Sequence, residues 1–122
     1  MKDAERLSKE FIQRILVNLG FNNKDAQVYV FLATEGPKKA KDIAEALSLY
    51  SSQIYRILKR LQINGAIDVT SEHPARFSAV IFEKVLDLLV EARREQHRAL
   101  LASKEELLST WRSITEKDEE KS

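Results

Sequence analysis

The chain has no cysteine, which removes disulfides, thiolate metal sites and cysteine nucleophiles from consideration. It has two histidines, His73 and His97, and neither belongs to a paired His–carboxylate motif or a metal-ligand spacing. Its three glycines, Gly20, Gly36 and Gly65, stand singly at expected helix ends, so there is no glycine-rich loop to cradle a phosphate. Ser51 and Ser52 lack a neighbouring base and lie where a helix should start, which suits capping rather than nucleophilic attack. Neither catalysis nor a cofactor nor a metal is expected. No apolar run is long enough for a secretory segment or a membrane span, and the amino terminus is dense in charge (Lys2, Asp3, Glu5, Arg6, Lys9, Glu10). A cytoplasmic protein with no membrane contact is the expectation.

What is present is a 122-residue chain, 43% hydrophobic and 32% charged. That is enough for one self-sufficient core plus an extension. The net charge is only +1, which argues against an indiscriminate polycation. Its distribution is uneven. Residues 37–76 carry seven basic side chains (Lys38, Lys39, Lys41, Arg56, Lys59, Arg60, Arg76) against four acidic ones, while residues 115–122 are dominated by Glu116, Asp118, Glu119 and Glu120.

Residues 3–19 place Leu7, Phe11, Ile12, Ile15, Leu16 and Leu19 on one stripe at helical spacing, closed by Gly20. The stripe can be covered by its own domain or by a second copy. Asn22 or Asn23 can cap a second helix from Lys24 to about Glu35, ended by Gly36-Pro37. There Ala26, Tyr29, Val30 and Ala33 share a face, with Phe31 and Leu32 on its flanks.

Ala40, Ile43, Ala44 and Leu47 form the inward side of a short third helix. Only Ser48-Leu49-Tyr50 separates it from a fourth at 51–64, so the pair reads as a helix-turn-helix. Ile54, Ile57, Leu58 and Leu61 fall on one side of that fourth helix, and Ser52, Arg56, Lys59 and Arg60 on the other. Ser51 or Ser52 is expected to cap it, and Gly65 to stop it. Residues 66–70 and 76–80 then have strand length and pattern, joined by Ser71-Glu72-His73-Pro74-Ala75. Helix, turn, helix, hairpin is the winged-helix order.

From Phe82 to about Thr115 nothing breaks a helix, and 34 residues extend about 50 Å. Leu100, Leu107, Trp111 and Ile114 follow alternating three- and four-residue spacing through Lys104, with Leu101 and Leu108 beside them, as in a coiled-coil seam. The charged run from Glu91 to Arg98 interrupts it, leaving parallel, antiparallel and bundled pairing open. A homodimer through this seam is expected. The fold class is thus mainly α (α+β): a winged helix-turn-helix with an amino-terminal helix and a long carboxy-terminal coiled-coil-like helix. The expected division is 1–81 winged domain, 82–115 dimerisation helix and 116–122 frayed acidic tail.

Leu19-Gly20-Phe21, Asp25-Ala26 with Val28-Tyr29, Gly36-Pro37, Ala40-Lys41-Asp42-Ile43-Ala44, Ile54-Tyr55, Leu58, Leu61, Gly65 and the run Pro74 to Val80 stand in an order and spacing that resembles the amino-terminal domain of the TrmB family of archaeal transcription regulators. The likeness covers roughly residues 16–95. It implies a DNA-binding winged helix that regulates transcription, with the helix at 51–64 in the major groove. Ser48 stands where the family often has glycine, and Tyr50 where proline often precedes the recognition helix. Larger members carry a sugar-binding effector domain, which is not expected here.

On that reading Ser52, Gln53, Arg56, Lys59 and Arg60 are the base-reading candidates, since glutamine can pair with adenine and arginine with guanine through two hydrogen bonds each. Lys38, Lys39, Lys41, Tyr50, Ser51, His73 and Arg76 are the backbone or wing candidates. Double-stranded DNA and a second copy of the chain are the expected partners. Two alternatives stay open: a winged-helix protein-interaction module, which the exposed position of Ile63 favours, and a low-specificity chromatin-binding protein.

Overall fold

The computed structural model describes residues 2–120, with side chains described from residue 3 to residue 116. Helix α1 (Lys2–Asn18) gives way to α2 (Asn23–Glu35) through a short turn. Asn22 Oδ1 accepts the Asp25 backbone N–H at 2.9 Å, satisfying one of the donors a helix start leaves unpaired. The strand β1 (Lys38–Lys39) follows and runs directly into α3 (Ala40–Leu47). Then come α4 (Ser51–Ile63), β2 (Ile67–Val69), β3 (Arg76–Ala79) and α5 (Phe82–Glu120).

The turn between α3 and α4 is made by backbone geometry that a side chain resists. Ser48 caps α3 in the left-handed region at φ 55° and ψ 47°, and its N–H donates to the Ala44 carbonyl. The Leu49 N–H reaches the same carbonyl at 2.9 Å. Tyr50, extended at φ −73° and ψ 153°, is the N-cap of α4, and its N–H donates to Gln53 Oε1 at 3.0 Å. The expected cap at Ser51 or Ser52 is therefore corrected. Those two serines are the first helical residues, and the glutamine three positions past the cap reaches back to close the helix start.

The sheet is antiparallel in the order β1-β3-β2. Ile67, Asp68 and Val69 face Ala79, Ser78 and Phe77, while Lys38 and Lys39 face Phe77 and Arg76. The hairpin of β2 and β3 was expected; the third strand was not. A Lys-Lys pair has little strand propensity of its own, and here the edge of β3 supplies the ladder.

Leu16, Val28, Tyr29, Leu32, Ile43, Ile54, Leu58, Leu61 and Val85 are all but inaccessible to solvent, each contributing about 1.5–3 kcal/mol through burial. α2 is the central element, buried at Asp25, Ala26, Val28, Tyr29, Val30 and Leu32. Because α1, α3, α4 and β3 all pack on it, its inner side is wider than one stripe. Ala33, expected inward, is exposed, and Val28 and Leu32 take its place. The stripe on α1 divides as well: Leu16 is in the core and Ile12 packs against it, but Leu7 and Phe11 are 60% and 56% exposed.

The chain divides into two compact units between Leu89 and Val90. The first contains everything to this point, with Phe82, Val85 and Leu89 of α5 against its core. The second is the remainder of α5, which is helical to Glu120; of the tail expected to fray over 116–122, Lys121 and Ser122 lie outside the described residues. Its charged stretch pairs with itself, Glu91 with Arg94 at 3.9 Å and Glu95 with Arg98. Beyond that, Leu100, Leu101, Leu107, Leu108, Trp111 and Ile114 are all exposed. Among the described residues no helix is long and apolar enough to cross a membrane.

Candidate nucleic-acid interface

α4 is fixed by its apolar side. Ile54, Ile57, Leu58 and Leu61 are buried, so positions 52, 56 and 59, spaced four and three apart, must share the opposite face. Ser52, Arg56 and Lys59 are exposed there. Among the described residues none of these three side chains has a hydrogen bond or ion pair within the chain. Ile63 extends the same row and is 75% exposed.

The other two base-reading candidates are placed differently. Gln53 is half-buried, and its carbonyl oxygen is taken by the Tyr50 N–H. Arg60 turns back toward α2, where its Nε and Nη2 donate to Asp25 Oδ2 and Oδ1 at 3.0 and 2.8 Å. Those hydrogen bonds raise the Arg60 pKa above its already high ordinary value, outweighing the opposing desolvation. The Asp25 side chain is 5% exposed and that of Arg60 46%, so the carboxylate is the buried partner and the guanidinium spans from core to surface. A planar fork on a carboxylate is the geometry that arginine, not lysine, provides.

Pairing 35 positions apart gives no local signal. The hint available was Asp25 itself, a charge on a helix that is otherwise apolar inward. Lys24 was missed altogether, and it lines one notch with Gln53, Arg56 and Arg60.

At the wing, the Arg76 N–H donates to Thr70 Oγ1 and the Thr70 N–H to the Arg76 carbonyl, both at 2.9 Å. These bonds close the loop that carries an exposed His73. Lys39 and Arg76 are cross-strand partners, which puts two cations side by side on one face of the sheet, an arrangement that repels unless an anion lies across it. Lys41 is exposed in the first turn of α3, and Lys38 is half-buried in β1. Tyr50 and Ser51 are exposed at the start of α4. Tyr55, which sequence reasoning left unassigned, is exposed and lines a depression of about 320 Å³ with Lys39, Lys41, Pro74 and Ala75. The signal for it was its place one helical turn beyond Ser51.

The profile of the family described as sugar-specific transcriptional regulator TrmB matches residues 16–83, more than half of the chain. The chain belongs to the TrmB family. Members are transcriptional regulators by that description, and the winged helix above is the part of this chain that the profile spans. No curated protein sequence matches the chain. Among solved structures, the archaeal chromatin protein TrmBL2 is similar in fold with a TM-score of 0.73 at 18% identity, over 88% of this chain and 42% of that one. The chain thus spans less than half the length of TrmBL2. A protein from the thermoacidophilic archaeon Sulfolobus tokodaii is similar with a TM-score of 0.59 at 19% identity, over 81% of this chain and 98% of its own. A transcriptional regulator from Thermotoga maritima gives 0.56 at 16% identity, over 100% and 98%. At these identities the likeness is one of fold.

Proposed function

We propose that this TrmB-family protein binds specific double-stranded DNA as a homodimer and regulates transcription, with α4 in the major groove. The observation that carries the reading is the row Ser52, Arg56 and Lys59. It is polar, exposed and unengaged within the chain, on a helix held by a buried opposite face. Donors left free on a rigid element suit base edges and phosphates. Arg56 is the principal base reader, and Lys39, Lys41 and Arg76 hold backbone phosphates. Pairing of two chains through Leu100, Leu107, Trp111 and Ile114 would set two such helices on one duplex, about 34 Å apart.

The experiment is selection of duplexes from a random pool, followed by shift assays on the winners and on scrambled controls at several salt concentrations. Enrichment of a sequence, retained with at least about a thousandfold preference over scrambled DNA, supports specific regulation. Equal retention of scrambled duplexes replaces it with low-specificity chromatin binding; TrmBL2, similar in fold, is an archaeal chromatin protein. Failure to retain any duplex at low ionic strength rejects both.

A further inference from the structure

Lys24 on α2 and Gln53, Arg56 and Arg60 on α4 surround a notch of about 140 Å³. What these groups still offer is of one kind. The Gln53 carbonyl oxygen is occupied by the Tyr50 N–H, so its free end is the amide NH₂. Arg60 gives two of its five N–H groups to Asp25, and the rest remain as donors in a plane fixed by that fork. Lys24 and Arg56 can only donate. A guanine edge also takes donors alone, but it carries no net charge, whereas three cations converging with an amide donor match the charge of a phosphate. One carboxylate against three cations leaves the notch positive. It is also bordered by the face assigned above to the major groove.

We propose that this notch holds one phosphodiester of the bound duplex, on Lys24, Arg60 and the Gln53 amide, and that Asp25 is a positioning residue that aims Arg60. The proposal rests on the DNA-binding reading. It moves Gln53 and Arg60 from base reading to backbone contact and adds Lys24, with Arg56 alone among the four reading sequence.

The test uses the duplex obtained by selection and the full chain. Lys24→Ala changes an exposed residue and leaves folding intact. It should weaken specific and scrambled duplexes by the same factor, about tenfold at low salt, and reduce the salt slope by about one phosphate contact. Replacing the phosphates one at a time by neutral methylphosphonates should reveal, in each half-site, a position that weakens the wild type and has no further effect on Lys24→Ala. Asp25→Asn removes a negative charge near DNA. A purely electrostatic role for Asp25 predicts tighter binding, whereas loss of aim predicts weaker binding at temperatures where the variant is folded.

The proposal is overturned if Lys24→Ala keeps wild-type affinity and slope while Arg56→Ala loses sequence preference, or if Asp25→Asn binds more tightly. Binding of inorganic phosphate to the wild type, lost in Lys24→Ala while duplex affinity stays that of the wild type, would assign the notch to the free ion and overturn it equally. If the wild type retains no duplex at all, the DNA reading itself fails and the notch with it.

Discussion

Tyr29 Oη donates to the Val80 carbonyl at 2.7 Å, tying the middle of α2 to the segment between β3 and α5. The ring is 1% exposed, and burial pushes the phenol above its ordinary value of 10.0. A raised folded-state pKa means that the stability it contributes is complete below pH 10 and is lost as pH rises through the folded value. Tyr29→Phe should cost about 1 kcal/mol at neutral pH by removing one hydrogen bond. Its deficit against the wild type should shrink as pH climbs beyond 10, measured by urea unfolding across pH. A deficit that stays constant would show that the phenol does not titrate differently in the two states.

Ser48 holds a conformation that glycine takes without strain, at φ 55°. Ser48→Gly should therefore stabilise the protein by up to about 1 kcal/mol, since left-handed backbone costs an L-residue roughly that much. Ser48→Val, branched at Cβ, should lower the melting temperature. A glycine variant that melts earlier than the wild type would mean that the serine side chain contributes more than the strain removes.

On the proposed reading, Arg56 and Lys39 separate base reading from backbone holding. Arg56→Ala should cost the selected duplex about 1–3 kcal/mol and relax preference at one base position. Lys39→Ala should weaken all duplexes evenly and shallow the salt dependence. It should also relieve the cross-strand repulsion with Arg76, so its unfolding midpoint should not fall. Identical salt slopes for both variants would remove the distinction.

The seam on α5 predicts association. Trp111 is 62% exposed and Leu107 55%. Large apolar side chains bared in register along one helix call for a covering partner. Leu107→Glu and Trp111→Glu should each weaken dimerisation by at least about tenfold, some 1.4 kcal/mol, read by sedimentation equilibrium, with helix content unchanged. A wild type that sediments as a monomer at micromolar concentration would reject the seam.

The parts of the fold readable in advance are those with local causes. Asn22, Gly36-Pro37 and Gly65 bound α2 and α4 where capping and left-handed geometry demand, and the hairpin follows from two apolar runs around a polar loop. What escaped depends on chain segments meeting in space. β1 exists because β3 offers an edge; Arg60 turns back toward α2 because Asp25 stands 35 positions earlier; Lys24 comes beside Arg56 and Arg60 because α2 packs on α4. The α4 cap was readable but misread, since two serines drew attention from a glutamine at the reciprocal position.

The two-residue strand has a mechanical corollary. Lys38 and Lys39 are clasped by β3, and the very next residue, Ala40, opens α3. A displacement of the hairpin is therefore passed across one peptide bond to α3, the helix that packs on α4.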